Sequence, residues 1–115
     1  MITKKDLQGI KCIPKADSGF RKVSRLTDKD GTFRLYAWTG KTRAGKLIDK
    51  YTTLEMVNWM NEQIQKRKGV DFKSLNGEFP QSCSQGSCVF TITGGILVCL
   101  GYAKYKKPCY SLVLP

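Results

Sequence analysis

The 115-residue chain carries 20 lysines and arginines against nine acids, a formal charge of +11, with 41% apolar and 25% charged residues and no histidine. That length suits one hydrophobic core, and that composition is globular rather than disordered. The absent histidine removes the commonest general base and the Ser-His and Cys-His nucleophile pairs, and the longest late apolar run, residues 96–100, is far too short to cross a bilayer.

In chain order, Thr3 can cap a short helix over 4–8, and Pro14 with Asp17-Ser18-Gly19 marks a turn. Three candidate strands follow at 20–26, 32–39 and 46–51, parted by Asp28-Lys29-Asp30-Gly31 and by the glycine-bounded stretch 40–45, which predicts an antiparallel meander. Thr52 and Glu55 have capping-box spacing. Leu54, Val57, Met60 and Ile64 recur behind them at intervals of three and four, which predicts an amphipathic helix over about 52–68. Lys66, Arg67 and Lys68 complement its dipole, and Gly69 supplies a left-handed cap.

The last third admits two readings. With period two, 89–93 and 96–100 are strands joined by Gly94-Gly95, with a further strand over 109–114. With the helical period, Val89, Ile92, Ile96 and Leu100 share a face and Gly101 ends the helix. The glycines and β-branched residues cost a helix about 2–3 kcal/mol in propensity, which favours the hairpin. The expected fold is therefore a single α+β domain over 1–115. It has a three-stranded antiparallel sheet, one long amphipathic helix, and a carboxyl-terminal β-hairpin or winged-helix-like unit.

A strand over 33–38 places Phe33, Leu35 and Ala37 on one face and Arg34, Tyr36 and Trp38 on the other. If the first set packs on the helix, the second makes a surface of cations and rings, able to neutralise phosphates and stack on bases. Arg21 and Arg25 on the first strand and Lys46 and Lys50 on the third are neighbouring outward candidates, and Lys41 and Arg43 lie in the loop between. The competing assignment buries Tyr36 and Trp38 under the carboxyl-terminal segment. The charge is concentrated in residues 1–50, which hold 13 lysines and arginines against five aspartates.

Strand, strand, strand, helix with a basic sheet face, over 19–67, resembles the small β-sheet DNA-binding domains of the AP2 type, including the arm-binding domains of tyrosine recombinases. In that family the sheet lies in the major groove, so the resemblance implies contact roles for Arg34, Tyr36 and Trp38. The recombinase catalytic domain has no counterpart here. Residues 52–115, with the close Leu100-Gly101-Tyr102 followed by basic residues and Tyr110-Ser111-Leu112, also resemble a winged helix. That likeness implies a recognition helix within 84–100 and a wing carrying Lys104, Lys106 and Lys107, although Gly94 and Gly95 depart from such a helix.

Residues 40–46, Gly-Lys-Thr-Arg-Ala-Gly-Lys, have a phosphate-loop flavour, but Leu47 stands where that motif needs a hydroxyl, so a basic hairpin loop is expected. Cys83, Cys88, Cys99 and Cys109 are enough thiolates for zinc, but their spacing lacks a tight knuckle, and no metal or other cofactor is expected. With five cysteines and no apolar stretch behind the amino-terminal lysines, free thiols and a cytoplasmic location are expected. The carboxylates form no catalytic motif. These features predict a binding module rather than an enzyme, a monomer or homodimer whose partner is nucleic acid, DNA ahead of RNA, in an accessory or regulatory role. The alternative is a protein-interaction module or inhibitor, of the sort found in phages and other mobile elements, that docks a basic face on an acidic partner.

Overall fold

Asp30 and Gly31 both take positive φ, 52° and 76°, and a two-residue turn of that kind matches the twist of the strands it joins. It links β2 (Phe20–Lys29) to β3 (Thr32–Lys41) in the computed structural model, which describes residues 1–113. β4 (Leu47–Thr53) returns antiparallel to β3 after a loop closed by the Thr42 N–H on the Lys46 carbonyl at 2.8 Å. The expected three-stranded sheet has four strands, because β1 (Cys12–Pro14) pairs with the start of β2, giving the order β1-β2-β3-β4. Three residues are too few for alternation to announce a strand. Ahead of it, α1 (Lys4–Gln8) is capped by Thr3, as its sequence predicts, and Asp6 completes the cap by accepting the Thr3 N–H.

α2 (Leu54–Gln65) follows β4 directly and is shorter than the predicted 52–68 at both ends. Thr53, not Thr52, caps it, accepting the Met56 N–H at 3.1 Å. The hydroxyl of Thr52 is instead buried and lies 2.7 Å from that of Thr93. At the other end Arg67, not Gly69, takes the left-handed conformation, with φ 62°. α2 buries Met56, Val57, Met60 and Ile64 in the same core cluster as Phe33, Leu35 and Ala37 of β3. Each of the larger side chains contributes about 1.5–3 kcal/mol by leaving water, and the Ala37 methyl about 0.8 kcal/mol.

α3 (Phe72–Glu78), capped by Asp71, and the short α4 (Pro80–Cys83) lead into α5 (Cys88–Cys99). A single helix over 88–99 overturns the hairpin reading of 89–100. Val89, Phe90 and every residue from Ile92 to Leu97 are buried, and a helix apolar on all sides is stable only when surrounded. The glycines that argue against a helix are what allow it to be enclosed. A Cβ on Gly94 would overlap the Tyr110 ring, and one on Gly95 would overlap Ile13 and the Pro14 carbonyl. Enclosure also removes most of this helix from any groove, so it does not serve as the recognition helix that the winged-helix likeness implies.

β5 (Ala103–Lys106) and β6 (Cys109–Leu112) form a separate two-stranded sheet packed on α5 and α2, with Tyr110 bridging to Val70. The last predicted strand therefore ends at Leu112, and Leu114 lies outside the described residues. Among the described residues no helix is long and apolar enough to cross a membrane.

Candidate nucleic-acid interface

Alternation along β3 sends Phe33, Leu35 and Ala37 into the core, so Arg34, Tyr36 and Trp38 project from the other face. α2 and α5 both pack on the core side. Register then brings three strands together on the open side: Arg25 of β2 lies opposite Tyr36, Tyr51 of β4 lies on its other flank, and Asp49 lies opposite Trp38. The Arg25 guanidinium carbon sits 3.9 Å from the centre of the Tyr36 ring. The Tyr36 and Tyr51 rings are 5.3 Å apart, and the Arg34 guanidinium carbon sits 4.5 Å from the Tyr51 ring. The result is a ladder, Arg25, Tyr36, Tyr51, Arg34, in which each cation rests on a ring.

Two carboxylates border this face: Asp30, in the β2–β3 turn, lies beside Arg25 and Arg34 at its end, and Asp49 interrupts it. Asp49 is half-buried and accepts the Ser24 hydroxyl at 2.8 Å and the Arg25 Nε–H at 3.3 Å, so its charge is largely answered from within the protein. The Tyr36 phenol, then Tyr51, push the Arg34 pKa further up, and Arg34 Nε is buried with no hydrogen-bond partner among the described residues. The Arg25 Nε–H is used by Asp49 and Arg34 Nε is buried, so the terminal N–H groups of the two stacked guanidiniums are the ones that suit an acceptor such as phosphate.

At the other end of the same face the strands carry Phe20, Trp38 and Leu47, with Lys22 and Lys41 beside them. Lys41, Arg43 and Lys46 are exposed around the loop between β3 and β4, where Gly45 has φ 85° and its N–H bonds the Thr42 carbonyl at 2.9 Å. This is the basic hairpin loop expected of residues 40–46, followed by a strand rather than a helix.

Two outward assignments are corrected. Arg21 faces inward, because it pairs opposite the fully buried Ile13. Its guanidinium reaches the Trp38 carbonyl at 3.5 Å and the Cys88 sulfur at 3.9 Å. A β-bulge between Val23 and Arg25 reverses the alternation, so Arg21 and Arg25, an even number of residues apart, point to opposite faces. Lys50 also turns to the core side, opposite Ala37 and close to Gly86, which leaves Asp49 and Tyr51 outward on β4. Lys104, Lys106 and Lys107 are exposed on the β5–β6 hairpin, beyond α5 from the ladder, and the first two line a cleft with Arg67. Ser84 is exposed, while the Gln85 amide bonds both backbone groups of Tyr51 at 3.1 Å and so covers that part of the β4 edge.

Tyr51, Phe20, Lys22 and Leu47 belong to the face without having been singled out in the sequence. Alternation from Leu47 to Tyr51 could have found two of them once Ile48 was set inward; the bulge hid the parity of the others. Among the described residues no three Cys, Asp or Glu side chains gather as a metal requires, and the five cysteines are free thiols. No family model, curated protein or solved structure matches this chain.

Proposed function

We propose that this chain is a small nucleic-acid-binding protein, DNA ahead of RNA, that works as an accessory or regulatory factor and binds through the open face of its sheet. The observation that carries the reading is the Arg25, Tyr36, Tyr51, Arg34 ladder, lying uncovered on a chain of net charge +11. Stacking fixes both guanidiniums before any ligand arrives, which lowers the ordering cost of binding; the Arg25 Nε–H is given to Asp49 and Arg34 Nε is buried, so the terminal guanidinium N–H groups are the donors for a ligand. Lys41, Arg43 and Lys46 extend the positive field from the same sheet, and phosphate neutralisation supplies affinity through released counterions.

Fluorescence anisotropy with labelled DNA and RNA at several salt concentrations tests this. The expected result is submicromolar affinity near physiological salt. Arg25→Ala and Arg34→Ala should each weaken binding and flatten the slope of log K against log salt by about one unit. Affinity indifferent to salt, or unchanged in both variants, overturns the reading. The exposed apolar trio Phe20, Trp38 and Leu47 favours one second reading, docking on an acidic protein, because rings beside cations are also the composition of protein interfaces. A single stoichiometric partner of defined acidic surface, bound while nucleic acid is not, would establish that reading instead.

A further inference from the structure

Phe20 is 68% exposed, Leu47 51% and Trp38 36%, and these three line one groove at the end of the sheet face. Lys15, Lys22 and Lys41 border it. We infer that this groove takes an unpaired nucleobase, so that the preferred ligand is single-stranded nucleic acid; the inference rests on the proposed function and specifies its substrate class.

A duplex offers a protein its phosphates and its base edges, while the faces of its bases are stacked on one another. The ladder alone would suit such a ligand. An apolar groove walled by two rings has nothing to hold there, whereas the unpaired bases of a single strand expose faces that stack on aromatic side chains. Charge selects among apolar occupants: the three lysines at the rim demand an anionic partner, and a nucleotide brings a flat ring and a phosphate together. Gly40, paired opposite Ile48 after the bulge that follows Trp38, contributes only backbone to the groove. Along β3, Arg34, Tyr36 and Trp38 succeed one another at about 7 Å, so an extended strand could cross from ladder to groove in a few nucleotides.

The test compares three probes of equal length on the full chain by anisotropy: a mixed-sequence single strand of ~12 nucleotides, its duplex, and an abasic strand with the same phosphates. The single strand should bind tightest, and the abasic strand about tenfold or more weaker. Phe20→Ala and Trp38→Ala should each cost about tenfold on the single strand and under about twofold on the duplex, while Trp38→Phe keeps most of the affinity. Phe20 is so exposed that its variant reports on binding even if Trp38→Ala loses its cooperative melt. An abasic strand that binds equally well, or variants that weaken single strand and duplex alike, overturn the groove assignment and leave the ladder standing. If none of the three probes binds, both readings fall. Tight binding of an acidic, aromatic-containing peptide in their place, or a dimer in light scattering that Trp38→Ala dissolves, would then identify the true occupant of the groove.

Discussion

Gly94 and Gly95 set how closely α5 can approach its neighbours. At Gly94 a methyl group would enter the ring of the fully buried Tyr110, which itself packs on Phe90 and Tyr105, so nothing nearby can yield cheaply. Gly94→Ala is expected to destabilise by about 1–3 kcal/mol or more, as overpacking of a filled core does, despite the better helix propensity of alanine. Gly77 in α3 is the control, being helical with nothing within 4 Å of its missing Cβ. Gly77→Ala should stabilise by about 0.5 kcal/mol. Urea unfolding of the two variants checks the opposite signs, and a neutral Gly94→Ala would contradict the close packing of α5 on β6.

At the scale of elements, β4 and α5 are joined by a buried pair of hydroxyls. Thr93 donates to the Val89 carbonyl at 2.7 Å, which uses its only proton, so Thr52 is the donor across the 2.7 Å between the two threonines. Thr93→Val leaves the Thr52 hydroxyl only the Met56 sulfur, 3.7 Å away, and is expected to cost about 1–2 kcal/mol. Replacing both by valine should cost less than the two single losses added, since no orphaned hydroxyl then remains. A double-mutant cycle on denaturant midpoints checks this, and strict additivity would show that the hydroxyls do not interact. The same pair explains why α2 starts one residue later than its sequence predicts: Thr52 is committed to the core, so capping falls to Thr53.

At the scale of the whole molecule, two clusters of positive charge stand apart. The ladder and loop occupy the open face of the four-stranded sheet, while Lys104 and Lys106 sit with Arg67 on the far side of α5. A helix is about 10 Å thick, more than the Debye length of about 8 Å at physiological salt. Removing the three hairpin lysines together, Lys104→Ala, Lys106→Ala and Lys107→Ala, should therefore change the affinity for a short strand by less than about twofold. Anisotropy at 0.15 M salt, as a round physiological value, checks it. A loss matching that of Arg34→Ala would mean that the ligand spans both clusters.

Local rules alone determined much of this protein. A turn within 28–31, the alternation of β3, the amphipathic α2, the Thr3 cap and the cation–aromatic side of β3 were all legible, because each depends on residues near in sequence; that Asp28 and Lys29 belong to β2, leaving a two-residue turn, was not. What lay beyond local rules were features set by distant neighbours. The bulge in β2 that turns Arg21 inward is fixed by its pairing with β1 and β3. The helicity of residues 88–99 depends on Ile13, Pro14 and Tyr110 closing over two glycines that by themselves favour a turn. Tyr51 joined the face only when register set it beside Tyr36, and Phe20 met Trp38 and Leu47 only when three strands were brought side by side. Periodicity reports which residues share a face; which faces meet, and how closely, is a property of packing, and packing is decided by the whole chain at once.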